Sequence, residues 1–252
     1  MAYSTQRRIA EIAEDQWGLV TRRQARLAGV SAATLERLSA SDSFLERVAH
    51  GVYHLMGAPS PDHIELRAAW LQLAPAVPAW ERKPEEGVVS HRSAAALYGL
   101  GNLPADRHEF TVAARRQSRR RDVRLHHRQL DAPELVRLRG LPVTRASRTA
   151  ADLLRDGEEP GPVAYVITDA IRGAHDYPGT FADALTPFAT RFGFRKGDGV
   201  ALLRWLLDLV GDPQAGGWLK EARDHVNRSV LERGDEKASP PDADDSEQKA
   251  FV

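Results

Sequence analysis

The sequence predicts a mixed α+β chain whose N-terminal helices and hairpin precede an α/β domain with short strands and a helical C-terminal half. Three observations carry this expectation. Capped apolar stripes of helical period fill the first forty residues, short β-rich runs separated by Gly and Pro lie between 44 and 144, and nearly every later segment reads as helix.

The elements follow in order. Thr5 to Asp15 carries Ile9, Ile12 and Ala13 at helical spacing, and Gly18 stops it. Thr21 opens a second helix, with Gln24 completing a capping box and Ala25 and Leu27 supplying apolar contacts. Gly29-Val30 makes the turn, and Ser31 caps a third helix that points Leu35 and Leu38 inward. Phe44 to Val48 and Val52 to Met56 form a hairpin around Gly51, which supplies the positive φ such a turn needs.

Helix, turn, helix and hairpin over residues 1–57 make a winged helix-turn-helix, a shape that lays one helix in a major groove and a wing against the backbone. Arg22, Arg23 and Arg26 on the second helix, Arg37 on the third and Arg47 on the wing are placed to neutralise phosphates. Ser31, Thr34 and Arg37 sit where a helix face reaches base edges. The same unit would also serve as a protein dock; the arginines favour DNA.

Residues 58–233 read as a second domain, starting with a helix capped by Ser60-Pro61 and striped by Ile64, Ala68 and Leu71. Pro75 to Gly87 is a loop, Val88-Val89 a short strand, and Ser90 caps a helix from His91 to Tyr98. His108–Val112 and Val123–Arg128 read as a hairpin with an Arg-rich tip, and Leu135–Leu138 pairs with Leu141–Val143 around Gly140. Thr144 caps a helix to Arg155, and helices follow at Gly161–Ala174, Thr180–Arg191, Asp198–Val210 and Gly217–Glu232. From Gly234 to Val252 the chain reads as a disordered acidic tail.

Charge balances at 35 basic against 35 acidic residues, but twelve arginines fall between Arg107 and Arg148. Among them Arg115, Arg116, Arg119, Arg120, Arg121 and Arg124 form a secondary basic patch: a second phosphate-binding element, a dock for an acidic partner, or a solvated loop in a chain with only five lysines. If all six engaged B-DNA, the log–log salt slope would be about −5. The absence of Cys excludes disulfides and thiolate chemistry, and no eighteen-residue apolar run or signal peptide is present, so a cytoplasmic protein without membrane contact is expected.

No catalytic constellation stands out, so the chain reads as a non-enzyme without cofactor. His126 and His127 point to opposite faces of a strand and cannot share an ion, so no metal site is expected from them. Asp152 reads as an i, i+4 partner of Arg148 worth a few tenths of a kcal/mol. Trp205 with Leu202, Leu203, Leu206 and Leu207 reads as a core-facing helix surface.

Ser90-His-Arg-Ser-Ala-Ala-Ala-Leu-Tyr-Gly-Leu100, His108-Glu-Phe-Thr-Val112, Gly140-Leu-Pro-Val-Thr144 and Arg148-Thr-Ala-Ala-Asp-Leu153 complete a pattern with Arg47-Val-Ala-His-Gly-Val-Tyr53. From about residue 5 to about residue 175 the chain resembles the AbiEi-type antitoxins of type IV, abortive-infection toxin–antitoxin systems. The resemblance implies a phage-defence transcriptional repressor that autoregulates its operon from operator DNA with inverted repeats, as a possible dimer. It also implies an AbiEi-like domain that counters a nucleotidyltransferase-like toxin, with or without direct contact. A stand-alone winged-helix regulator with a ligand- or protein-sensing second domain is the alternative.

Overall fold

The computed structural model describes residues 2–40 and 44–238. The architecture is α+β, and the chain divides into two compact units, Met1–Asp176 and Tyr177–Val252. Residues 41–43 and the expected tail beyond 238 lie outside the described residues.

The first unit opens with α1 (Ala2–Glu14), β1 (Leu19–Thr21), α2 (Arg22–Leu27), α3 (Ala32–Ala40), β2 (Leu45–Ala49) and β3 (Val52–Leu55). The predicted capping box is present: the Gln24 N–H donates to Thr21 Oγ1 at 3.1 Å, and the Thr21 N–H donates to Gln24 Oε1 at 2.9 Å. Strand β1, too short to show a period, was not legible; it completes a sheet of order β1-β3-β2. Leu27 is 72% exposed rather than in the core, because α2 ends after six residues with only Gln24 and Ala25 buried.

The alternation of these strands decides how the unit is held. Val20 and Tyr53 face Ile9, Ala25, Leu35 and Leu45, closing a small core under the helices. Leu19 and Val52, one residue away on each strand, face the other way and join a second core with Trp70, Val89, Phe110 and Val143. Strands β1 and β3 are therefore buried on both sides, while the edge strand β2 leaves Glu46 and Arg47 exposed.

That second core belongs to α4 (Ile64–Leu73) and a five-stranded sheet. Ser60-Pro61 does not start α4. Residues 62–63 form a turn, His63 takes φ 55° at the N-cap, and Arg67 fastens the turn by donating from Nε to the Asp62 carbonyl at 2.9 Å. The Arg67 guanidinium lies over the Trp17 ring at 4.5 Å, and a Cβ on Gly140 (φ 83°) would come within 3.0 Å of that indole, so glycine is required there.

The sheet runs β6-β5-β4-β8-β7, from β4 (Val88–Val89), β5 (His108–Val112), β6 (Val123–His127), β7 (Leu135–Leu138) and β8 (Leu141–Thr144). Strands β7 and β8 pair antiparallel as expected, but β5 and β6 are parallel, with His108 opposite Val123 and Val112 opposite His127. The expected Arg-tipped hairpin is thus replaced by a connection, residues 113–122, that runs back along the strands before β6 begins. Alternating residues reveal a strand but not its direction.

Helix α5 (His91–Tyr98) follows β4, and α6 (Ala146–Arg155) and α7 (Pro160–Arg172) follow β8. Thr144 does not cap α6; it ends β8 and bonds Thr149 through its hydroxyl at 2.7 Å. Buried Asp176 instead accepts from the Ser147 N–H at 3.1 Å and from the Arg145 guanidinium at 2.9 Å.

The second unit contains α8 (Pro178–Leu185), α9 (Gly199–Val210) and α10 (Ala215–Ala238). The single helix expected over Thr180–Arg191 breaks into a 3-10 segment, Thr186–Phe192, where Pro187 has no N–H to continue the α ladder. Leu202, Leu203, Leu206 and Leu207 are buried as expected, with half-buried Trp205 against Phe192 at 5.6 Å. Helix α10 passes Gly234, where the tail was expected to begin, because Glu236, Lys237 and Ala238 are good helix formers. Among the described residues no helix is long and apolar enough to cross a membrane.

Candidate nucleic-acid interface

Arg22, Arg23 and Arg26 are all exposed on α2, Arg37 is exposed on α3 and Arg47 on β2. The Arg22 N–H donates to the Gly51 carbonyl at 2.8 Å, so the start of α2 rests against the hairpin turn. Arg22 also pairs with Glu36 of α3 at 3.4 Å, and Arg47 bonds His50 Nδ1 at 3.1 Å. These are exposed contacts, weak enough to exchange for phosphate oxygens. Ser31 and Thr34 are partly committed: Ser31 Oγ accepts the Thr34 N–H at 3.1 Å, and the two hydroxyls bond each other at 2.9 Å. Capping α3 uses hydrogen-bonding capacity that base contacts would otherwise draw on.

Residues 7–55 match a family model described as transcriptional regulator, AbiEi antitoxin. This segment, from α1 to the last residue of β3, is similar to AbiEi antitoxin regulators. Among solved structures, the crystal structure of the RV2827C protein from Mycobacterium tuberculosis aligns at 17% identity and a TM-score of 0.49, covering 86% of this chain and 80% of that one. No curated protein matches the chain.

The AbiEi-like segment is fastened to the rest of its unit by two buried glutamines. Gln16 and Gln24 exchange amide hydrogen bonds at 2.9 Å in both directions. Gln16 Nε2 also donates to the Leu19 carbonyl and its Oε1 accepts the Ala79 N–H, both at 2.9 Å. Gln24 Oε1 takes the Thr21 N–H, and its Nε2 donates to the Val77 carbonyl at 3.2 Å. Every polar group of the pair is satisfied, and α2 is tied to residues 77–79 of the loop after α4. Nothing in the local pattern marked Gln16; Gln24 was visible only as half of a capping box.

The Arg-rich connection and the hairpin turn each bond the last turn of α4. Gln72 donates to the His50 carbonyl, and the next residue, Leu73, accepts from Arg116 at 3.0 Å. The structure divides the six arginines. Arg116 also donates to the Glu86 carbonyl, Arg120 chelates Asp122 with one bond of 2.9 Å, and Arg124 reaches Asp156 at 3.0 Å. Arg115, Arg119 and Arg121 are exposed. The Arg120 hydrogen bond holds the Asp122 carboxyl below its ordinary pKa.

Elsewhere in this unit a polar cluster forms that the sequence did not announce, with His91, Glu109 and Ser90 buried and Asp156 at its exposed edge. His91 and His126 stack with centroids 3.5 Å apart and planes at 12°. Glu109 Oε2 lies 2.6 Å from His126 Nε2, Ser90 Oγ lies 3.0 Å from His91 Nδ1, and Asp156 approaches both rings. Burial, with His126 and Arg124 adding to it, pushes the His91 pKa down to about 2, so its ring is neutral. A cavity of about 380 Å³ opens beside it, lined by His91, Glu109, Arg124 and Asp156 among others. His126 and His127 do diverge, as the strand requires; the partner of His126 is His91, thirty-five residues earlier. Only the β5–β6–α5 packing brings them together.

The Asp152–Arg148 pair is present at 2.9 Å, but Asp152 is buried and also holds Arg155, while Arg148 reaches Glu134. Burial pushes the Asp152 carboxyl up, against the pull of Arg148 and Arg155. It is a buried ionic knot rather than a surface pair.

Proposed function

We propose that this chain is a DNA-binding transcriptional regulator and antitoxin that represses its own operon and counteracts a nucleotidyltransferase-like toxin. The observation that carries the reading is the coincidence of the AbiEi family match over residues 7–55 with exposed arginines on α2, α3 and the hairpin. In this reading residues 1–57 dock on operator DNA as a winged helix, with α3 in the major groove and Arg47 on the backbone. Arg22, Arg23, Arg26 and Arg37 contact phosphates, and Ser31 and Thr34 contribute what their capping bonds leave. Arg115, Arg119 and Arg121 extend the phosphate track, because their connection and the hairpin turn hang from neighbouring residues of α4. Residues 58–233 carry the antitoxin role in the cytoplasm, and no catalytic step is assigned to them.

The test is binding of the full-length protein to its own upstream DNA against a scrambled duplex across a salt series. Tight, sequence-selective binding supports the reading; binding that does not discriminate overturns autorepression. The cavity beside His91 favours a second reading, a regulator whose second domain senses a small ligand. Ligand-dependent release of DNA, with no toxin gene alongside, would select it.

A further inference from the structure

We propose that His91, His126 and Asp156 form a binding site for one first-row transition-metal ion, for which Zn²⁺ is the best match. The inference is independent of the DNA reading. Their ligand atoms all lie within 4.8 Å of one another, with Asp156 Oδ2 3.6 Å from His126 Nδ1 and Asp156 Oδ1 3.9 Å from His91 Nε2.

The surroundings match a metal site beyond these three groups. Metal-binding imidazoles characteristically donate their second N–H to a carboxylate or another oxygen, which fixes the tautomer. Here Glu109, itself buried, stands 2.6 Å from His126 Nε2, and Ser90 Oγ stands 3.0 Å from His91 Nδ1. With protons on those nitrogens, the lone pairs of His126 Nδ1 and His91 Nε2 are left on the Asp156 side. His91 takes φ 52° at the first residue of α5, a backbone conformation costly for a non-glycine residue.

A cation already stands beside the carboxylates. The Arg124 guanidinium is 3.0 Å from Asp156 Oδ2 and 3.9 Å from Glu109 Oε2, and its side chain is 52% exposed, so it can swing away. Two imidazoles and one carboxylate suit Zn²⁺, Co²⁺ or Ni²⁺, whereas Mg²⁺ and Ca²⁺ want oxygen-rich shells. A fourth ligand, water or an anion, has access from the adjoining cavity.

The stacked rings must open for this, since parallel imidazoles cannot both hold one ion in plane. Turning His126 about its Cβ–Cγ bond moves Nδ1 farther than Nε2, which lies closer to the rotation axis and can stay within reach of Glu109. His91 Nε2 likewise stays close to its present position. The ion would then crosslink α5, β6 and the C-terminal end of α6.

The test uses full-length protein stripped with a chelator, titrated with Zn²⁺ by calorimetry and with Co²⁺ by visible absorption. One equivalent of each is expected, with a rise in Tm on Zn²⁺ addition. Asp156→Asn and His126→Gln should abolish it, Glu109→Gln should weaken it by about 10–100-fold, and His127→Gln should leave it unchanged. Arg124→Ala should tighten it, a gain that damage to the fold cannot mimic. Absence of stoichiometric binding overturns the proposal. So does a bound equivalent that survives Asp156→Asn and is indifferent to Arg124→Ala, which would mark a surface histidine elsewhere. Should His126→Gln unfold, the Asp156 and Arg124 variants, on partly exposed side chains, still decide.

Discussion

Gln24 illustrates how one residue serves two scales. Its carbonyl completes the cap of α2, which the sequence spells out, and its amide joins Gln16 in a buried pair, which the sequence does not. Gln24→Ala should strand donors and acceptors on Gln16, Thr21 and Val77, costing about 2–3 kcal/mol. A urea unfolding curve measures this, and a loss below that of an ordinary cap would show that water replaces the pair. Asp152→Ala should cost about 3 kcal/mol, because two arginines lose a shared buried carboxylate; thermal unfolding at neutral pH reads it. Tyr98 offers a pH test. Burial raises its pKa to about 12 from 10.0 while its hydroxyl donates to the Thr144 carbonyl at 3.2 Å. The unfolded chain loses that proton first, so stability should fall as pH climbs from about 10 toward 12, and Tyr98→Phe should flatten the decline. An unchanged slope in Tyr98→Phe would assign the alkaline loss to other groups.

At the scale of elements, capped helices and the β7–β8 turn were legible because their signals are local: Thr21 with Gln24, Ser31 before α3, Gly140 between strands. Where the structure departs from the local pattern, some causes are near in sequence, Pro187 in the broken helix and Asp62 before α4, and others lie far along the chain. The start of α4 was displaced by Arg67 reaching back to Asp62, and the cap of α6 comes from Asp176. Strand β6 runs parallel to β5, which changes what the arginines between them do. The sequence presented six equivalent cations; the fold engages Arg116, Arg120 and Arg124 in hydrogen bonds or ion pairs, Arg116 and Arg124 from exposed positions, and carries Arg115, Arg119 and Arg121 exposed on the same connection. Replacing those exposed three with Gln should therefore weaken DNA binding without lowering Tm, whereas Arg116→Gln should lower Tm through the lost contacts to Leu73 and Glu86. Gel-shift and melting measurements on both variants separate the roles, and equal losses of Tm would refute the division.

Across Met1–Asp176, the two faces of the hairpin sheet belong to different cores, so the AbiEi-like segment is not a bead on a tether. Its orientation against the Arg-rich connection is fixed through α4. If both bind one duplex, the log–log salt slope of the triple Gln variant should be shallower by about 3, close to 0.9 per lost phosphate contact. An unaltered slope would place the connection away from DNA.

By itself the sequence determined the order of most helices and strands, the capped helix pair with its arginines, and the resemblance to AbiEi antitoxins over the segment that a family model matches. These rest on period, capping and turn chemistry, which act within a few residues. Only the tertiary structure decided that β5 and β6 are parallel, that Gln16 secures α2, and that His91 stacks on His126 beside Glu109 and Asp156. Those outcomes depend on which surfaces bury each other, and burial is a property of the packed chain that no local spacing records.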